Sequence, residues 1–560
     1  MLDTTINVIV ELENLIKKEE ERVKNSFKYD GRFLIYELAR AMDHFFIRTQ
    51  LNNRSKELES DFIRFYCYGW PEALRIFYDD SVNQIGVPLE PSNDTLKDWA
   101  NSVIQYCGKI GLLKQLIGLS KVGLVHIYKV NENSYETTIC TKYAGVERVE
   151  VLDYFWLQDK LAESQTDEIV ALNKRRKYIN KIMSSLVFVW KKNFIGYDAH
   201  PEVDEYYHKI GNLLVKRLIG YDSFPPDVRF GRRRYGQFCS TIQFLIELSR
   251  KHVDFCFELW KKHRDIDIYN ILVMFIEKKD LCEYLSEALN VELSVADVLL
   301  STLTLSLENV AEYSSIPNGA PPPLIVIAGG MVLKFNIGCQ NNPFMFLHRE
   351  LRRKYPKDWD SAINEREKVF RNELYELFKC HNLLKVDRNI VLKEKGKFIT
   401  DIDACLLDPV NGILGVFQLK WQDPFASSMR ERASKKKNFI DDCTMWIDAV
   451  ETWLEKRDYK EIAKLFGFRF NDMEKIKRVC FFVMGRNFAH FSGDTLPDSR
   501  AAWGGWAQVV RLFENNDYGS NEIAGLYDSL IKDSPFHKVS RIENEEILTL
   551  GDITVKSVVT

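Results

Sequence analysis

The chain has 560 residues, too many for a single hydrophobic core, so two or three domains are expected. Apolar residues make up 46% and charged residues 28%, the composition of an ordinary soluble globular protein and not of a disordered or fibrous one. Lys and Arg number 77 against 80 Asp and Glu, which excludes a bulk basic character; any contact with nucleic acid must use local patches.

The opening residues, "MLDTTINVIVELENLIKKEEERVK", lack the basic start and small-residue cleavage site of a signal peptide. Ile9, Leu12, Leu15 and Ile16 instead have helical spacing and predict an amphipathic helix. Residues 1–313 read as a mainly helical region that recognises a target, a partner protein or a second copy of the chain. One segment within it breaks the pattern: "GLVHIYKVNENSYETTIC" at 123–140 predicts a β-hairpin around "NENS". A winged helix is an alternative for this helix-then-hairpin order, but no recognition-helix signature supports it. Two stretches combine basic and aromatic residues, "KRRKY" at 174–178 and "RFGRRRYG" at 229–236. Arg232, Arg233 and Arg234 of the second suit phosphate contacts, with a solvated surface as the plain alternative.

The clearest boundary is "SSIPNGAPPPL" at 314–324, where three consecutive prolines cannot continue a helix. Residues 314–345 are expected to be a proline-rich linker with a short strand, and 346–560 a second domain. "LIVIAGGMVL" at 324–333 is the most apolar run and far too short to span a bilayer, so a cytoplasmic protein without membrane contact is expected. Eleven cysteines occur with no C-x-x-C pair, which fits buried reduced thiols.

The C-terminal half has a more specific order. "SAINEREKVFRNELYELFKCHNLL" predicts a helix, "KVDRNIVL" a strand, Phe398–Leu407 a second and Ile413–Lys420 a third. The long helix "SMRERASKKKNFIDDCTMWIDAVETWLEK" follows, then the strand "RVCFFVMG". The order is α-β-β-β-α-β, an α/β domain with a mixed central sheet flanked by helices. Alternation along a strand puts Asp401 and Asp403 on one face, and likewise Gln418 and Lys420. If the two strands are neighbours, Asp403 meets Gln418 and Lys420 at the end of the sheet. Carboxylate and amide oxygens suit Mg²⁺, and an adjacent ammonium can orient a water and neutralise a phosphate under attack. A structural ion pair between Asp403 and Lys420 is the bland alternative, though such a pair adds little stability over apolar residues.

An acidic helix residue, an Asp on a strand, a turn, and a tripeptide ending in Lys on the next strand resemble the PD-(D/E)XK nuclease superfamily. "QLK" at 418–420 is similar to the Gln-x-Lys form of Mrr-type restriction endonucleases. The resemblance covers roughly residues 362–486. It implies a restriction-endonuclease-like core and a Mg²⁺- or Mn²⁺-dependent phosphodiesterase that cuts DNA, in a prokaryotic restriction or anti-phage system. Carried over by position, Asp403 is the central metal ligand, joined by Gln418 and the Leu419 carbonyl, and Lys420 is the motif lysine. Glu373 best matches the helix glutamate, with Glu376, Glu367 and Glu365 as rivals; Asp401 ligates through a water or lines the site. Gln418 stands where the family more often has Glu, so one negative ligand is missing, and a non-catalytic nucleic-acid-binding scaffold is the alternative function.

Lys435, Lys436 and Lys437 follow the motif lysine on the long helix and are expected at the backbone of a cleaved strand, with Arg430 and Arg432 as weaker candidates. After the fourth strand, "MGRNFAHFSGD" presents Arg486, Asn487 and His490; His490 is expected to be packed or on the surface and not a base. No P-loop, H-E-x-x-H or G-x-S-x-G occurs. Nothing reads the 2′-OH, so DNA and RNA are not distinguished.

Overall fold

A computed structural model describes residues 2–26, 29–51, 60, 62–87, 89–143, 145–316, 319–422, 429–539 and 544–559. The N-terminal region is built from long helices, among them Leu2–Lys24, Gly31–Leu51, Asp94–Lys121 and Tyr235–Lys262. The Asn93 side chain caps Asp94–Lys121 by accepting the Leu96 N–H at 3.0 Å. That helix approaches Cys67–Phe77 so closely that a Cβ at Gly69 would lie 2.0 Å from the Ile104 carbonyl oxygen. Among the described residues no helix is long and apolar enough to cross a membrane.

The expected hairpin forms, with Val125–Asn131 antiparallel to Ser134–Ile139. It is not a free-standing wing. Ile553–Val559 pairs parallel with its second strand, and Asn544–Leu550 completes a four-stranded sheet. Residues far apart in sequence thus share one sheet, which no local pattern announces.

The proline segment is not a linker. Residues 321–325 are buried, and Leu324–Ala328 and Met331–Lys334 join Met274–Glu277 and Thr304–Leu305 in a second four-stranded sheet. A Cβ at Gly338 would lie 1.9 Å from the Pro322 carbonyl oxygen, so the prolines are clasped against the next turn of chain. The N-terminal core continues past 345 through Leu347, Leu351, Trp359 and Ala362. The last two lie on the helix Pro356–Leu377, whose later residues Phe370, Leu374 and Tyr375 belong to the C-terminal core. One helix therefore serves both halves.

The C-terminal domain is α/β, as expected. Its five-stranded sheet runs Leu384–Lys385, Ala404–Asp408, Ile413–Lys420, Arg478–Gly485, Ala501–Gly505; the first three strands are antiparallel and the last three parallel. Both faces are covered, which is why its strands are apolar throughout. Cys405, Leu407, Leu414 and Val416 pack under Phe439, Trp446 and Ile447 of the helix Met429–Glu455. Ala404, Leu406, Phe417 and Leu419 face Phe370, Leu374, Ile523 and Leu526 on the other side.

Two expected strands are divided. "KVDRNIVL" breaks between Leu384–Lys385 and Ile390–Glu394, and the next run breaks at Asp403. Lys397–Ile402 pairs with Ile390–Glu394 in a separate hairpin, and the central sheet resumes at Ala404. The chain changes sheets at Asp403.

Candidate active site

Asp403 lies at that change of sheet, with 2% of its surface exposed. Its N–H donates to the Phe417 carbonyl at 3.1 Å, which fixes it opposite the end of Ile413–Lys420. The carboxylate Oδ2 accepts the Leu419 N–H at 2.7 Å and Gln418 Nε2 at 2.5 Å. Asp403, Gln418 and Lys420 share the face covered by Met429–Glu455, as alternation requires. Leu419 turns its side chain to the opposite core and meets Asp403 through its backbone.

Asp401 and Asp403 are bridged by a residue that the sequence did not single out. Asn389 Nδ2 donates to Asp401 Oδ2 at 3.3 Å and to Asp403 Oδ1 at 3.4 Å. The buried guanidinium of Arg371 holds that amide in place, donating to Asn389 Oδ1 at 2.5 Å and to the Asp403 carbonyl at 3.0 Å. Asn389 occupies the break in "KVDRNIVL", where a polar residue between two apolar runs was the available signal. Trp446 Nε1 donates to the Asp401 carbonyl at 2.7 Å and ties the covering helix to the same turn.

Electrostatics identify a third acidic group beside Asp401 and Asp403. Burial pushes the Asp403 carboxyl up to about 8; the negative charges of Glu367 and Asp401 push the same way, against the Leu419 N–H and the Lys420 ammonium. Burial also raises Glu367, opposed by Lys420 and by hydrogen bonding to Asn389. Glu367 is thus the helix glutamate whose charge acts on Asp403. Glu373 instead pairs with Arg486, which also reaches Asp222 of the N-terminal region.

Crowded hard-oxygen groups of like charge, held beside an ammonium, are a donor set that suits a divalent cation such as Mg²⁺. Asp403, Asp401 and Glu367 are its acidic members, and Gln418 would offer its amide oxygen once the amide is turned, but as they stand the three carboxyls are not at metal-ligand spacing and would have to draw together around an ion. Among the described residues no three His, Cys, Asp or Glu side chains stand together at metal-ligand spacing.

The other expected contacts are largely committed elsewhere. The Arg486 guanidinium stacks among Trp421, Trp506 and Phe370, 4.6, 5.1 and 5.5 Å from their ring centres, and is an internal clamp. Lys436 Nζ donates to the Ser492 carbonyl, whereas Lys437 is exposed and Lys435 half-buried on the same helix. The side chains of Arg430 and Arg432 lie outside the described residues. Asn487 Nδ2 donates to the Gln422 carbonyl at 2.6 Å. His490 is buried, its Nδ1 2.8 Å from Glu150 Oε1. Arg232, Arg233 and Arg234 lie at a turn whose Gly231 packs against Tyr355 and donates its N–H to Asp358, at the start of the helix that carries Glu367. Glu376 and Glu365 are not among the principal charges acting on Asp403. All eleven cysteines are unpaired.

No family model matches the chain, and no curated protein or solved structure matches it.

Proposed function

We propose that the protein is a metal-dependent nuclease that hydrolyses phosphodiester bonds, with DNA as its substrate, and that its C-terminal domain has a restriction-endonuclease-like core. The observation that carries this reading is the convergence of Asp403, Gln418, Lys420 and Glu367 at one end of a mixed sheet, where a carboxyl is raised by burial and further by its acidic neighbours. Buried like charges stabilise nothing by themselves, and such groups concentrate at functional sites. A Mg²⁺ or Mn²⁺ ion bound there would polarise the phosphate and lower the pKa of water.

The chain's own residues do the rest. Asp403, Asp401 and Glu367 supply the negative charge. Arg371 and Asn389 fix the two aspartates relative to each other. Lys420 neutralises charge on the phosphate and orients the attacking water. The N-terminal region would select the target, in a restriction or anti-phage role.

The test is cleavage of plasmid and single-stranded DNA with Mg²⁺ or Mn²⁺ by the protein, Lys420→Ala and Asp403→Ala. Loss of roughly 10²–10⁴-fold in rate in both variants is expected. Cutting that survives both substitutions would refute the assignment. A second reading, a nucleic-acid-binding scaffold without turnover, is favoured by Gln418, whose amide nitrogen and not its oxygen faces Asp403. It predicts nucleic-acid binding that is indifferent to metal and to Lys420.

A further inference from the structure

The helix Thr166–Leu186 and the hairpin that follows it, Val187–Trp190 with Phe194–Tyr197, carry a one-sided charge. Between Glu168 and Asp198 there is no acidic residue, while seven Lys and Arg occur, in a protein of net charge −3. On the helix, Leu172, Ile179 and Met183 form the buried stripe. Lys174, Lys177 and Lys181 lie on the opposite face, all three exposed. Among the described residues none of these three lysines forms an ion pair, whereas their neighbours Arg175 and Tyr178 reach Glu205 and Glu202.

The lysine ladder runs toward two exposed aromatic rings. Val187 and Val189 pack against the core, which turns Phe188 and Trp190 outward on the same face of the strand. They remain 46% and 41% exposed, and Tyr178 on the helix 51%. A Cβ at Gly196, opposite Phe188 in the hairpin, would lie 2.5 Å from the Phe188 ring, so the glycine allows the ring to lie over the neighbouring strand. The loop tip places Lys191 and Lys192 at φ 45° and 66°, the left-handed region that non-glycine residues avoid. Glycine or asparagine is the residue for such a tip, and here two lysines take its place. The Lys191 ammonium sits 4.5 Å over the Trp190 ring.

We infer that this surface binds a single-stranded nucleic acid, phosphates on the lysines of the helix and loop tip and bases on Phe188 and Trp190. Charge complementarity selects a polyanion, and exposed rings at the end of a basic track suit unpaired bases, whose faces are free to stack. The inference rests on the nuclease reading only for its biological sense. The binding is read without cleavage, so the two fail separately.

The experiment measures binding of labelled single-stranded and duplex oligonucleotides to the full chain in EDTA, across a range of salt. The triple variant Lys174→Gln/Lys177→Gln/Lys181→Gln should bind the single strand at least about tenfold more weakly near 0.1 M salt. Its slope of log affinity against log salt should be shallower by about 2. Trp190→Ala should weaken single-strand binding roughly tenfold and duplex binding much less. Both alter exposed side chains, so unchanged thermal midpoints verify the fold. Wild-type affinity and slope in the triple variant would overturn the inference. So would equal losses on both substrates for Trp190→Ala, or capture by phosphatidylserine vesicles with no oligonucleotide bound. Strand binding that needs these residues, in a protein that cuts nothing, would sink the nuclease reading and support this surface.

Discussion

Asp403 accepts the Leu419 N–H at 2.7 Å, so its carboxyl is locked to the backbone between Gln418 and Lys420. The lock keeps a buried acid where burial and two neighbouring carboxyls oppose its ionisation. A proton is then held near neutral pH that the unfolded chain gives up.

That proton makes stability depend on pH with a definite sign. The Asp403 carboxyl is raised from 3.8 to about 8, so between these values the folded state binds more protons than the unfolded one. Its contribution to stability therefore falls as pH rises from about 4 toward about 8. Thermal unfolding of the protein and of Asp403→Asn from pH 5 to 9 should give midpoints that diverge with pH, the variant showing the flatter curve. A divalent cation selects the carboxylate, so Mg²⁺ should raise the wild-type midpoint more at pH 8 than at pH 6. Parallel curves for the two proteins would rule this out.

The two candidate helix glutamates separate cleanly. Glu367→Gln removes an acidic group from the site and should lower the cleavage rate by roughly 10²–10⁴-fold. Glu373→Gln should keep the rate within about threefold, since that residue serves Arg486. The reverse order of effects would return Glu373 to the site.

Arg486 binds the two halves together through Glu373 and Asp222 while stacking on three aromatic rings. Lysine cannot reproduce both the forked ion pairs and the stacking. Arg486→Ala should cost about 1–3 kcal/mol in chemical unfolding, the range set by partners that are themselves part-exposed. Arg486→Lys should recover less than half of that loss. Full recovery with lysine would show that charge alone matters.

Glu150, on the helix Val146–Ser164, is buried in the loop that leaves Arg478–Gly485. Its Oε1 accepts the Ala489 and His490 N–H groups at 3.0 and 3.2 Å as well as facing the imidazole. Glu150→Ala leaves those donors unpaired and should destabilise the protein by about 3–5 kcal/mol. Limited proteolysis should then cut first within 486–494. An unchanged cleavage pattern would show that the loop holds its place without Glu150.

What the sequence made legible follows from which physical rule governs each feature. Strand alternation is a strict period of two, so Asp403, Gln418 and Lys420 fall on one face as their spacing requires. The glutamate depends on where a helix crosses the sheet, which spacing does not encode. Glu373 follows Glu367 by six positions, roughly 9 Å along the axis and about 120° around the helix. A small change in packing decides between them. Asn389 and Arg371 act through tertiary contacts made across a break in strand pairing, and an apolar pattern cannot show a break that leaves its alternation intact. The proline segment reads as solvent-exposed because proline ends helices, but an extended chain without N–H donors also buries easily beside a core.

The parallel pairing of Lys556 with Glu136 has a consequence for synthesis. The two partners are separated by 420 residues, so the second strand of the hairpin emerges with one edge bare. At typical rates of about 5–20 residues per second, that edge waits roughly 20–80 s for its neighbour. An unpaired strand edge is a template for pairing with other chains. Ribosome-bound chains that stop short of the last two strands should therefore be the aggregation-prone form of this protein, and the ones that chaperones engage.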